Sequence, residues 1–439
     1  MKMIRGGVVA VLAAAACVSA AAAAPPALGW PAHSLWVSTA TATSGGGTSC
    51  AAPGYNAIQA AVNAAASGEQ IVVCAGTYTE QLQITKSVEI SAIGTVVIQL
   101  PATPANATTT CDKQMASGNP GNPPEQDQDE ISICGAVKVS LTGITVDAAW
   151  PGGTCYDAMY GVVVAGGATL RFEKSQVAAA GAVPLNGCQG GVGILAGDSQ
   201  GSPAQVGHLL LTDSTVSGYQ KNGVVIDGTG STGTIDNSIV TGAGPTPLIA
   251  QNGIVVGSGA GASITAADVS GNECDFAAAC GPDSLTQTQG AGILIYATDA
   301  PVSVTDTAVS ANDMGVYYQA DPSQPGPVSP TAVLDNDRLD QNRYEAVELD
   351  EGAALIEDTE MSGGNVGLQA LQYAGQDFGI DSVATADKIL RMGVATVQVL
   401  SDQAAADKPG VLVVAGSQIH PGQTLNNSAS FQLLELGDS

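Results

Sequence analysis

The residues with the clearest chemical potential lie in one short segment, residues 335–351, which holds seven acidic and two basic side chains. Within it, Val347 and Leu349 alternate with Glu348 and Asp350. If the aliphatic pair points inward on a β-strand, both carboxylates share the outer face about 6.6 Å apart. This distance lies within the range of roughly 5 to 9.5 Å that separates the two catalytic carboxyl groups of glycosidases. An arginine beside them could bind a sugar acid or lower a carboxylate pKa. The candidate catalytic residues are therefore Glu348, Asp350, Arg343 and Asp337.

The same segment also fits an ordinary solvated surface. Outward positions of an acidic protein are acidic by default, and Arg338 and Arg343 could simply neutralise neighbouring charges. The spacing of Asp335 and Asp337 does not follow the calcium loop of an EF-hand, so no cofactor is predicted and calcium is not indicated by a motif. Both interpretations stay open at this stage.

Half of the ten tyrosines fall in successive repeats of the same region. Aromatic rings on an exposed face could stack on sugar rings, whereas rings inside the fold would form core ladders. The candidate substrate-binding residues, with core packing as the alternative, are Tyr296, Tyr317, Tyr318, Tyr344 and Tyr373.

The cysteines indicate an oxidising compartment. Nine cysteines less Cys17 leave eight, an even number, and proximity along the chain suggests neighbour pairing. The predicted disulfides are Cys50 with Cys74, Cys111 with Cys134, Cys155 with Cys188, and Cys274 with Cys280. No C-x-x-C spacing is present and the chain has three histidines, so a metal site is not predicted.

Composition favours many short strands joined by tight turns. The chain has 55 glycines, four phenylalanines and 12% charged residues, and it is rich in Val, Ile, Ser and Thr. Its 40 acidic and 13 basic residues give a net charge of −27. Such a surface repels nucleic acid and anionic membranes. It also disfavours polyanionic polysaccharides unless calcium bridges the charges.

The amino terminus predicts export. A basic start, a short apolar run and small residues ending near Ala24 are typical of a secretory signal peptide, residues 1–24. We therefore expect a secreted protein with no transmembrane segment. The alternative is a lipoprotein on the cell envelope, anchored through Cys17. Residues 25–49 are rich in Pro, Gly, Ser and Thr and predict a flexible leader.

One helix precedes a long β region. Asn56 could cap a helix over residues 56–67, with Gln59 three residues later, and Gly68 would end it. Its apolar stripe is Ile58, Ala61, Val62 and Ala65. From residue 69 the apolar period changes to two, as in short strands.

The strands repeat as a unit of strand, turn with Asn or Gly, and strand. Equivalent apolar residues are separated by 22 to 40 residues, which is typical of a solenoid with loops of variable length. The aligned residues are Val216, Ile239, Val269, Val309, Leu339 and Met361. We predict a right-handed parallel β-helix over residues 50–374, the helix capping its first coil. Strands in 375–439 would cap or complete it.

The stretch from Tyr55 to Ile90 resembles the first coil of the pectin-lyase-like superfamily, especially the amino-terminal part of pectin methylesterases. The resemblance rests on residues 57–62, 68–73 and 76–80. The later coils are similar to the generic repeats of polysaccharide lyases and NosD-like proteins. The resemblance implies the fold. The catalytic motifs of the esterases, pectate lyases, polygalacturonases and alginate epimerases are missing, so no catalytic residue is carried over.

Three functions remain open. The protein could bind or process a polysaccharide on the outer face of the solenoid; as an enzyme it would be a lyase, hydrolase or esterase. It could be a non-catalytic extracellular scaffold of the same fold. It could be a NosD-like accessory protein for metal delivery, which the scarcity of ligands disfavours.

Overall fold

Short parallel strands, most of them hydrogen-bonded to the strand one coil before and one coil after, build most of the described chain. Outside this stack, Gly47–Ser49 and Ala52–Pro53 form a small antiparallel pair. The computed structural model describes residues 34–42, 45–105, 108–114, 128–151, 159–283, 286–298, 300–320, 332–350, 353–372, 381–385, 387–390, 392–401, 411–415, 418–419, 423–426 and 432–436. The predicted signal peptide, Cys17, Cys155 and Tyr373 lie outside these residues. No helix in the described ranges is long and apolar enough to cross a membrane.

Each coil contributes a strand to three faces, named here in the order in which the chain visits them. Strands of the first face are Ser34–Val37, Ala168–Glu173, Gly207–Thr212, Thr232–Asp236, Gly261–Thr265, Val302–Thr305, Ala332–Asp335, Ala354–Glu357, Asp381–Thr385, Val411–Ala415 and Gln432–Leu436. Strands of the second face are Gln176–Val183, Thr215–Ser217, Ile239–Thr241, Asp268–Ser270, Ala308–Ser310, Arg338–Asp340, Glu360–Ser362, Lys388–Leu390 and Gln418–Ile419. Three strands cross from the first face to the second: Glu69–Thr79, Val88–Gln99 and Lys138–Pro151.

The third face is a separate sheet with twelve described strands, every pair of which is parallel. Its strands are Leu82–Ile84, Ile131–Cys134, Tyr160–Ala165, Val192–Ala196, Asn222–Asp227, Asn252–Gly257, Ala291–Tyr296, Met314–Gln319, Glu345–Asp350, Val366–Gln372, Ala395–Ser401 and Gln423–Asn426. A chain that returns to a parallel neighbour after each turn forms a right-handed coil. The predicted right-handed parallel β-helix is confirmed.

Stacked aliphatic side chains fill the centre. On the second face one buried ladder runs through consecutive coils: Val216, Val240, Val269, Val309, Leu339, Met361 and Ile389. The sequence alignment placed Ile239 in this ladder, which is wrong by one residue. Ile239 pairs with Thr215 and Asp268 and is 46% exposed. Because Ile239 and Val240 are both apolar, alternation alone does not tell which one points inward.

The first coil differs from the prediction in two ways. The helix spans Ile58–Ala64, and its first free N–H groups donate to the carboxylate of Glu80 rather than to Asn56, from Ile58 at 2.7 Å and Gln59 at 2.9 Å. The predicted apolar stripe is buried. Residues 34–37, within the predicted leader, form a strand that pairs with Gln70–Val73.

Buried polar side chains bond along the stack at both corners of the second face. At the corner that precedes the second face, a side-chain oxygen accepts a hydrogen bond from the backbone N–H of the equivalent residue in the preceding coil. Ser214 accepts from Ser175 at 3.2 Å and Asp337 accepts from Thr307 at 2.9 Å. After the second face, Asn272, Asn312 and Asn342 form an amide ladder with Nδ2–Oδ1 distances of 2.8 and 3.0 Å. These bonds satisfy groups that the turns would otherwise bury unpaired.

Three disulfides join the predicted partners Cys50 with Cys74, Cys111 with Cys134, and Cys274 with Cys280. Cys188 is also disulfide-bonded, and its predicted partner Cys155 lies outside the described residues. The bond from Cys111 holds residues 109–114 against the outer side of the third face, over Val163 and Leu195.

The amide ladder gives a test of the fold. Asn312→Ala removes one buried hydrogen bond from the amide of Asn272 and one from the amide of Asn342, and we expect it to lower the free energy of unfolding by about 3 kcal/mol. Asn222→Ala is the matched control, because Asn222 accepts one bond, from Asn252, in a half-exposed position. We expect it to cost less than about 1 kcal/mol. Urea unfolding followed by circular dichroism measures both; equal losses would contradict the assigned role.

Candidate active site on the third face

The carboxylates of Glu348 and Asp350 lie on the outer side of the third face. Val347 and Leu349 pack in the core, so strand alternation turns the two acids outward as expected. Each is nevertheless only 1% exposed. The interpretation of these two acids as solvated surface charge is therefore wrong.

Register places the two acids in two outward columns that run along the solenoid. Column one contains Leu294, Tyr317, Glu348 and Gln369 on consecutive coils. Column two contains Tyr296, Gln319, Asp350 and Leu371. Neighbouring members of a column are about 4.8 Å apart.

Hydrogen bonds cross-link the two columns around the acids. The Tyr317 hydroxyl donates to Asp350 Oδ2 at 2.8 Å, and Gln319 Nε2 lies 3.4 Å from the same oxygen. Gln369 Nε2 donates to Glu348 Oε2 at 3.1 Å. Each carboxylate is thus oriented by a side chain from an adjacent coil, which is the arrangement that a preorganised site requires.

A third buried acid, Glu345, begins the same strand and is 2% exposed. Burial, together with the charges of Glu348 and Asp313, raises its pKa to about 9. Its Oε2 has no hydrogen-bond partner among the described residues. At neutral pH Glu345 therefore holds its proton, and a protonated carboxyl beside a second carboxyl is the arrangement used for general acid catalysis.

Arg343 does not touch Glu348 or Asp350 in any described contact. Its guanidinium donates to the carbonyl of Cys274 at 3.2 and 3.3 Å and pairs with Asp275 at 3.3 Å and Asp313 at 3.6 Å. Asp313 in turn accepts from the backbone N–H of Cys274 and Gly290. Burial raises the pKa of Asp313 to about 6 despite these bonds. Arg343 thus anchors Cys274 and Asp275, and Glu345 is hydrogen-bonded by the side chain of Gln289.

Asp337 lies at a different corner of the solenoid. It is buried in the corner ladder between the first and second faces and accepts from Thr307. Burial raises its pKa to about 7. The structure does not bring it together with Glu348, so the sequence grouping of Asp337 with the catalytic candidates is corrected to a structural role.

The tyrosines divide between core and surface. Tyr318 is 1% exposed, lies in the core and donates to the carbonyl of Thr298 at 3.3 Å, so its assignment to a sugar platform is corrected to packing. Tyr344 is buried, with the guanidinium of Arg343 4.9 Å from its ring centroid. Tyr296 is 41% exposed and Tyr317 is half-buried, both on the outer side.

Exposure falls along column two towards the acids. Tyr296 is open, Gln319 is half-buried and Asp350 is buried. The outer side of the third face is therefore accessible at the aromatic end and closed at the acid end. Within the described ranges no group of three metal-binding side chains is close enough to hold an ion.

No family model matches the chain, and no curated protein matches it. Solved structures do. The catalytic domain of a GH87 α-1,3-glucanase variant in complex with nigerose gives a TM-score of 0.54 at 10% identity, over 84% of this chain and 64% of that chain. The Agl-KA catalytic domain gives 0.52 at 14% identity, over 86% and 64%. This chain thus spans less than two thirds of each.

The likeness to these two structures shows a shared parallel β-helix fold. The periplasmic alginate epimerase AlgG also matches, with a TM-score of 0.49 at 12% identity, over 84% of this chain and 76% of that chain. Identities this low show a shared β-helix and nothing about chemistry.

The protonated state of Glu345 predicts a pH dependence of stability. Its folded pKa is above its usual 4.5, so its contribution to the free energy of unfolding is complete below about pH 4.5 and is lost as the pH rises towards 9. Glu345→Gln keeps the size of the side chain and removes this pH-dependent loss of stability. We expect the Tm of the variant to rise relative to wild type between pH 5 and pH 8.5. Asp268→Asn, at an exposed position of the second face, is the control. A pH-independent difference for Glu345→Gln would contradict the assignment.

Proposed function

We propose that this protein binds and processes a polysaccharide on the outer side of its third face, with Glu348 and Asp350 as the reacting carboxylates. The observation that carries the proposal is the burial of both acids on an outward-facing strand, each oriented by a side chain of an adjacent coil. Burying a carboxylate is costly unless its oxygens are hydrogen-bonded or paired. Such an arrangement is typical of functional sites rather than of solvated surfaces.

The open end of the columns supports a glycan as the ligand class. Tyr296 and Tyr317 offer ring faces and a hydroxyl next to the amide of Gln319, and pockets with a few convergent polar groups among apolar ones are typical binding sites. The α-1,3-glucanase of the same fold was solved in complex with nigerose. That likeness supports a glycan as a fold-level analogy only.

The chemistry supported best is acid–base processing of a glycosidic linkage. Glu345 supplies a carboxyl that keeps its proton at neutral pH, and Glu348 and Asp350 supply two further carboxyls on the same strand. A proton donor on one side of a sugar linkage and a carboxylate on the other are the parts that glycoside hydrolysis uses. The disulfides support an activity outside a reducing compartment, as expected for an exported protein.

Removal of either carboxylate tests the site. We expect Glu348→Gln and Asp350→Asn each to lower the rate by about 10² to 10⁴, since a positioned acid or base contributes that much. Release of reducing or unsaturated ends from a panel of glycans measures the rate. Asp268→Asn removes the same charge from the second face and should retain the wild-type rate.

Two outcomes would separate the alternatives. Wild-type rates in Glu348→Gln and Asp350→Asn would show that the reacting groups lie elsewhere. Retention on a glycan gel without turnover by the wild type would identify a binding module instead of an enzyme.

A further inference from the structure

The composition of the third face bears on which class of polysaccharide it can hold. Three columns of residues follow the strand register of this face between Asn222 and Leu371. Column one begins with Val225 and Val255, column two with Asp227 and Gly257, and a third column leads to Glu345. The members of the third column are Asn222, Asn252, Ala291, Met314, Glu345 and Val366. All three columns consist of apolar, amide, phenol and carboxyl side chains.

Two described basic side chains, Lys221 and Arg343, directly precede or lie two residues before strands of this face, and both bind other groups. Lys221, directly before the strand Asn222–Asp227, donates to the carbonyl of Ala250 at 2.6 Å, and burial lowers its pKa to about 8. Arg343 is held by Cys274, Asp275 and Asp313. Both cations are therefore engaged at the corner beside the face rather than on it.

A polyuronate would meet like charge on this face. Asp227 is partly exposed on its outer side, and the chain carries a net charge of −27. Like charges brought together across an interface oppose binding.

An uncharged sugar fits the same groups without this cost. Its hydroxyls can donate to the carboxylate of Asp227, which is partly exposed. They can accept from the amide of Gln319, and the apolar face of the ring can pack on Tyr296, which is 41% exposed. Such sites bind by hydrogen bonds and stacking rather than by charge.

We propose that the polysaccharide bound by this face is an uncharged glycan and not a polyuronate. The inference rests on the proposed function, because it assigns a ligand class to the same site. It also separates this chain from pectin- and alginate-acting proteins of similar fold, whose ligands are acidic.

Affinity electrophoresis tests the ligand class with the full chain. The gels contain α-1,3-glucan made soluble by carboxyl-free derivatisation, laminarin, dextran, alginate, polygalacturonate or chitosan, at low and high salt. We expect retardation by at least one uncharged glycan with little change on adding salt, and retardation by the polyuronates weaker by a factor of about ten or more. Tyr296→Ala should reduce the retardation by the uncharged glycan, and Asp268→Asn should leave it as in wild type.

The outcomes separate this inference from the proposed function. Retardation by alginate or polygalacturonate but by none of the uncharged glycans would overturn the inference and leave the proposed function standing. Retardation by chitosan alone, abolished by salt, would also overturn it, since the acids would then act by charge. Retardation by no glycan, together with no release of reducing ends, would end the proposed function and the inference with it.

Discussion

The inward aliphatic ladders are the constraint on which the rest of this structure depends. Strands in register on consecutive coils place Val316, Val347 and Leu368 directly above one another in the core. Each such residue fixes the orientation of its neighbours, because successive side chains on a strand point to opposite sides. The positions of Glu348 and Asp350 therefore follow from the packing of Val347 and Leu349. A slip by one residue would exchange core and site.

Acidic residues in this protein occupy two kinds of buried position with different consequences. In the corner ladder, Asp337 accepts a backbone N–H and substitutes for the serine and threonine found at equivalent turns, such as Ser214 and Thr307. On the third face, Glu345 and Glu348 lie close enough for each charge to oppose the other. Since burial raises the pKa values of both Asp337 and Glu345, neutral and alkaline pH act against the folded state at both positions.

The fold and part of the site were predictable from the amino-acid pattern, because each depends on local alternation and repeat length. The pair of Glu348 and Asp350 on one outer face follows from strand parity alone. Burial of that pair does not, since it depends on residues that approach from other coils. The partner of Glu348, Gln369, could have been predicted by extending the repeat alignment one residue beyond Leu368. Glu345, Asp313 and the engagement of Arg343 by residues 274–275 depend on loop geometry that the repeat does not encode.

The disulfide between Cys111 and Cys134 determines which outer positions of the third face are covered. It holds Cys111 over Val163 and Leu195, which are 0% and 6% exposed. On later coils the outer side is more open, as at Val225, which is half-buried, and at Tyr296, which is 41% exposed. From the strand Asn222–Asp227 to the strand Glu345–Asp350 the sheet advances four coil spacings, or about 19 Å. Reduction of this disulfide would therefore uncover more of the third face without altering the coils beneath it.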